Sequence, residues 1–184
     1  ESIFSLFKSG NFAGLDFNGK ILWKTDLSGY GKDSLYWDFG TSPILTEKHV
    51  IVALMREKNS WLIAFDKANG DVAWKVERNY ETPREGDHSY ATPILIEHEG
   101  EEAILVWGAE RLTAHSAKDG SILWISSGFN PKKKNNWVVV GSHVVAGDVV
   151  LVPYGRGSHL AGIRMGGKGD VTESNRLWTR SDSG

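Results

Sequence analysis

Apolar residues along this chain come in short β-branched or aromatic runs bounded by Gly, Asn, Asp and Lys, and no stretch keeps the 3.6-residue period of a long helix. The runs predict strands near 2–8, 11–16 and 20–25, then 41–46, 49–55, 60–66 and 71–77. They continue near 91–97, 102–107, 110–116 and 121–126, and finally 137–145, 148–154, 158–165 and 176–180. The grouping is three strands followed by three sets of four. Asn18-Gly19, Asn69-Gly70 and Asp119-Gly120 accept positive φ, so they are expected to form tight turns joining third and fourth strands. Pro43 and Pro93 fall near strand starts, where a missing N–H does least damage to a ladder.

The pattern repeats. Asp16 to Trp23 recurs as Asp66 to Trp74 and as Ser116 to Trp124, with the Gly-to-Trp interval fixed at four. Trp23, Trp74, Trp124 and Trp178 are separated by 51, 50 and 54 residues. A second marker keeps the same step: Thr41-Ser-Pro-Ile-Leu45, Ala91-Thr-Pro-Ile-Leu95 and Gly141-Ser-His-Val-Val145. Four short antiparallel strands per unit of this length predict an all-β chain built of propeller blades. The expected organisation is a single partial propeller over 1–184, with an incomplete blade at 1–30 and full blades at 31–80, 81–130 and 131–184. Fifteen strands make just under four blades, so the reading is an open arc of about half a ring whose remaining blades belong to a longer parent.

Ala64, Asp66, Gly70 and Trp74 carry the complete pattern Ala-x-Asp-x-x-x-Gly-x-x-x-Trp. Ala114, Gly120 and Trp124 carry it with Ser116 for the Asp. Gly14, Asp16, Gly19 and Trp23 carry it one residue shorter, and Leu160, Gly162 and Trp178 form a stretched copy interrupted by the segment from Gly166 to Thr172. This resembles the tryptophan-docking motif of the quinoprotein-type propeller family, the proteins with pyrroloquinoline quinone repeat-like blades. The resemblance implies that each Trp docks one blade against the next. It also implies seven or eight blades in full members, an extracytoplasmic location, and either a non-catalytic scaffold or a dehydrogenase using pyrroloquinoline quinone with calcium.

Composition narrows the chemistry. Lys+Arg 21 against Asp+Glu 23 gives a net charge of -2, without the positive excess of a dedicated nucleic-acid binder. No apolar run approaches the ~20 residues of a membrane-spanning helix. The absence of Cys excludes disulfides and thiolate sites, and also the adjacent cysteine pair that catalytic members of the resembling family usually carry. Since the first residue is Glu1, a preceding segment is expected to have been removed. No Gly-x-Ser-x-Gly or His-Glu-x-x-His pattern occurs. Asp38, Glu85, Asp87 and His88 read as solvated loop residues in preference to metal ligands, because no oxygen-rich calcium loop is present. Lys132-Lys-Lys134 reads as a solvated connector and Gly166 to Gly169 as a loop lengthening the last hairpin.

The candidate ligand-binding residues are Trp37, Asp87, His88, Tyr90 and Trp137, which occupy equivalent slots ahead of the innermost strands and are expected to share one rim. The reading is a non-catalytic binding or scaffold module for a protein or saccharide, with no resident cofactor. The alternative is a part of a quinone-dependent dehydrogenase.

Overall fold

A computed structural model describes residues 1–31, 40–156 and 159–181. Four open sheets follow one another along the chain. The first holds β1 (Ile3–Leu6), β2 (Asn11–Leu15) and β3 (Ile21–Asp26). The second holds β4 (Ile44–Leu45), β5 (His49–Leu54), β6 (Trp61–Asp66) and β7 (Val72–Glu77). The third is built from β8 (Ile94–His98), β9 (Glu101–Gly108), β10 (Arg111–Ser116) and β11 (Ile122–Ser126). The fourth has β12 (Val144–Ala146), β13 (Val149–Pro153), β14 (Leu160–Arg164) and β16 (Arg176–Arg180). Neighbours within each set are antiparallel, and the expected all-β architecture is the one observed.

Alternation along the strands makes the core. Val50, Val52 and Leu54 of β5 pack with Phe12, Trp23 and Leu27 of the first sheet, whereas Ile51, Ala53 and Met55 pack with Ile104 and Val106 of the third. The other face of the third sheet, with Leu105, Trp107 and Trp124, meets Val150, Val152, Ala161 and Ile163 of the fourth. A central sheet is therefore apolar on both faces, which is why its strands read as continuous apolar runs.

The repeated residues explain one another at the junctions. Gly14, Ala64, Ala114 and Gly162 lie opposite Trp23, Trp74, Trp124 and Trp178 in the ladder, and a bulge follows each of these four small residues. Trp23 then crosses to the next sheet, donating its indole N–H to the Lys67 carbonyl at 2.9 Å, and Trp74 does the same to Ala117 at 3.2 Å. A Cβ on Gly70 would come within 2.5 Å of the Trp23 ring, and one on Gly120 within 2.7 Å of Trp74. The motif glycine is needed twice over, for its φ near +77° and for the ring lying on it. The acidic position caps the turn: Asp16 and Asp66 each accept an N–H two residues on, from Asn18 and Ala68.

A matched pair of substitutions separates the two demands on glycine. Gly19→Ala, at φ +81° with nothing within 4 Å of the added methyl, is expected to cost ~1 kcal/mol in chemical denaturation. Gly70→Ala adds displacement of Trp23 and is expected to cost ~2–4 kcal/mol in all. Equal losses at the two sites would contradict the docking role.

Several expectations are corrected. The innermost strands are shorter than 41–46 and 137–145, because Pro43 lacks a donor and because residues 137–143 are used elsewhere, as described below. In the three turns only the glycine has positive φ; Asn18, Asn69 and Asp119 do not, so these are longer loops in place of two-residue hairpins. Among the described residues, the pairs that do place both residues at positive φ are Glu99-Gly100, Ala109-Glu110 and Gly166-Gly167. Trp124 is fully buried and Trp23 nearly so, but Trp74 is only half-buried and Trp178, on the last strand of the fourth sheet, is 39% exposed. Finally, the glycine-rich segment does more than lengthen a hairpin. Gly169–Asp170 forms β15, which pairs parallel with Trp124 and Ile125 along the outer edge of β11 and makes the third sheet five-stranded. Val171 N–H to Ile125 O and Ser127 N–H to Thr172 Oγ1 extend the attachment into the short helix α1 (Thr172–Asn175).

Candidate functional site

The linkers between sheets meet at one end of the assembly and bond to each other. Val139 N–H reaches the His88 carbonyl, Tyr90 N–H reaches the Val139 carbonyl and Asn136 N–H reaches the Arg84 carbonyl, with a parallel bridge between Ser89 and Val139. One linker over, Ser42 N–H donates to Thr92 Oγ1 at 3.0 Å. Residues 137–143 thus serve as a tie between linkers, which explains why their apolar run is not strand. The outcome is a cross-braced rim.

Of the candidate residues, Asp87 and His88 are brought together. They are 8% and 3% exposed, and His88 Nδ1 lies 3.2 Å from Asp87 Oδ1 while Lys58 N–H approaches Asp87 Oδ2 at 3.3 Å. Burial works to raise the Asp87 pKa, but the hydrogen bond and charge of His88 and the nearby backbone N–H groups outweigh it and hold the carboxyl below its ordinary value. Both side chains are buried. Tyr90 is half-buried one rung along the same tie. Trp137 stands on the neighbouring linker, where its ring partners are His159 at 5.6 Å and Tyr154 at 6.3 Å. The Lys134 ammonium lies 5.3 Å from its centroid, and a Cβ on Gly155 would come within 2.9 Å of its ring. Trp37, together with Asp38, lies outside the described residues.

Two clefts flank the segment from Glu81 to Pro83. One, of about 250 Å³, has Tyr80, Arg84 and Asp87 in its wall, and the other, of about 490 Å³, runs between Glu81, Glu110, Arg111 and Lys133. Burial raises the Glu110 pKa against the opposing effects of a hydrogen bond from Asn130 and the charge of Arg111. Behind the clefts lies a group that sequence reasoning missed. Arg78 is buried, donates to the carbonyls of Gly108, Val106 and Arg111 and to Thr113 Oγ1, and burial pushes its pKa down to about 10. It follows Trp74 by four residues as Leu27 follows Trp23, and that buried slot is the only signal the sequence offered.

Comparison with known proteins places this arrangement. Solved structures that share the fold include BamB from Moraxella catarrhalis, with a TM-score of 0.61 at 16% identity over 97% of this chain and 45% of that one. A quinohemoprotein alcohol dehydrogenase, ADHIIG from Pseudomonas putida HK5, gives 0.67 at 13% identity over 99% of this chain and 33% of that one. The PilY1 C-terminal domain from Pseudomonas aeruginosa gives 0.64 at 13% identity over 89% and 38%. The chain therefore spans between a third and a half of the length of these proteins. No curated protein matches it significantly. The family model described as outer membrane protein assembly factor BamB matches residues 2–184, and with its docked tryptophans and partial ring of propeller sheets the chain belongs to that family.

Proposed function

We propose that this chain is a binding scaffold that works outside the cytoplasm and presents the braced linker rim to a protein partner in an assembly process. The observation that carries the reading is the bonding of one linker to the next, which turns separate loops into a single preformed surface, as binding sites on rigid frameworks require. The family description, an outer membrane protein assembly factor, supports both the assembly role and the location. Among the described residues no helix is long and apolar enough to cross a membrane.

A saccharide stacking on Trp137 is less favoured, because Gly155, Lys134, His159 and Tyr154 already crowd that ring. The likeness to the quinohemoprotein dehydrogenase is one of fold. Among the described residues no three His, Asp or Glu side chains converge, and Asp87 is engaged by His88 and Lys58.

Placing a photo-crosslinking amino acid at Glu81 or Asn135 on the rim, and at Asp119 at the opposite end as the comparison, tests the reading in the native compartment. Discrete protein adducts are expected from the rim positions. Adducts from Asp119 alone, or none, would overturn it.

A further inference from the structure

The net charge of -2 conceals a strong segregation. Residues 77–110 hold nine acids and two arginines, one of which is the buried Arg78. Residues 120–169 hold six lysines and arginines and a single acid, Asp148, which lies 3.8 Å from Arg164. Four of these cations lie on the rim, with the Lys134 ammonium 5.3 Å from the Trp137 ring centroid and Lys133 in the wall of the cleft that Glu81 and Glu110 share. Lys132, Lys133 and Lys134 are exposed on the linker after β11, and Arg156, from the hairpin between β13 and β14, donates its Nε–H to the Asn136 carbonyl. None of the four has a carboxylate partner among the described residues.

The lysines are held in place. Asn130, 6% exposed, accepts the Lys134 N–H at 2.9 Å and donates to the Lys134 carbonyl at 2.8 Å and to Glu110 Oε1 at 2.6 Å. Its own carbonyl takes the Lys133 N–H. Ordering costs that a ligand would otherwise impose on this loop are already met in the folded chain.

We propose that Lys132, Lys133, Lys134 and Arg156 on this rim receive a short acidic segment of the partner protein. The proposal rests on the scaffold reading and names the chemistry of its partner. The footprint decides the ligand class. The neighbouring linker, joined at Asn136 and Arg84, carries Glu81 and Glu85, so a long polyanion or a flat anionic bilayer covering the cations would also press on these carboxylates. A few acidic residues fit the basic side alone, and a basic residue next to them in the partner would face Glu81, which fixes the direction of the bound segment.

The test uses a fluorescein-labelled peptide of alternating Glu and Ser, the same peptide with Gln for Glu, and phosphatidylglycerol vesicles, each titrated against the whole chain. The Glu peptide is expected to bind with an affinity that falls as salt rises, and Lys132→Gln/Lys133→Gln/Lys134→Gln to weaken it roughly tenfold or more. Lys8→Gln/Lys20→Gln/Lys48→Gln should leave it unchanged. Circular dichroism melting confirms that each triple variant folds. Equal binding of the Gln peptide, an unaffected lysine variant, or binding of vesicles in place of peptide would each overturn the proposal. So would self-association that the rim lysines alone control, since Glu97, Glu99, Glu101 and Glu102 of a second copy would then be the occupant. Crosslinking separates the two ideas: rim adducts that persist in the rim-lysine variant sink this proposal and leave the scaffold standing, whereas absent adducts sink the scaffold reading whatever the peptide does.

Discussion

Trp124→Ala is expected to lower the free energy of unfolding by ~3–5 kcal/mol, read from urea denaturation. The ring is wholly buried, in the cluster that joins the third and fourth sheets, with Ala114 opposite it in the ladder and β15 lying along its strand. Its indole N–H differs from those of Trp23 and Trp74 in having no acceptor among the described residues. Trp124→Phe should therefore cost less than the loss of ring area implies, because the substitution also removes a buried donor with no partner. Trp74→Phe strands the Ala117 carbonyl instead. A loss below ~1 kcal/mol for Trp124→Ala would mean that the junction is not held by packing.

The second large effect is on acid stability. His115 is fully buried, with Nδ1 2.8 Å from the Gly120 carbonyl and Nε2 2.9 Å from Thr113 Oγ1. His143 is 2% exposed, with the Leu105 backbone against its ring. Burial, with a smaller contribution from the positive charge of Arg78, brings both from 6.5 to about 4 against the opposing effects of the Gly120 backbone on His115 and the Leu105 backbone on His143. A histidine whose pKa is depressed by folding binds its proton more readily in the unfolded chain. These two therefore contribute their full stability above pH 6.5 and lose it as the pH falls toward 4, by ~3 kcal/mol each. Unfolding free energies measured at pH 7, 5 and 4 should fall along that course. His143→Leu should remove about half of the slope, since leucine takes up no proton. An unchanged slope in that variant would show that His143 is not buried neutral.

Legibility from sequence followed repetition. The Gly-to-Trp spacing announced the fold because it recurs in successive blades, although the contacts it serves are long-range, Trp23 lying on Gly70 and Trp74 on Gly120 of the following repeat. Arg78 was invisible because its partners lie 28 to 35 residues away and are mostly carbonyls, which no side-chain pattern records. The run Val138-Val139-Val140 looked like strand, and its use as a tie depends on where the neighbouring linker happens to pass. At the rim, Asp87 and His88 were legible as chain neighbours. The partnership of Trp137 with Tyr154 and His159 was not, because those rings arrive from a hairpin of the same sheet whose sequence carries no repeat signal. The turn between β9 and β10 was legible as a break between strands, but its positive-φ pair Ala109-Glu110 was not, because neither residue is glycine.

The pairing of β15 with β11 joins Gly169 to Trp124 across 45 residues of chain, and this gives the molecule an order of assembly. The third sheet is the first to contain a strand borrowed from a later part of the sequence, so on a ribosome it waits with its outer edge bare until the fourth sheet has been made. Synthesis halted short of Gly169 would release a chain whose β11 backbone invites pairing from any extended segment nearby. The last hairpin is in this sense a seal applied from downstream, and the period between the two events is when the growing chain has most need of a chaperone.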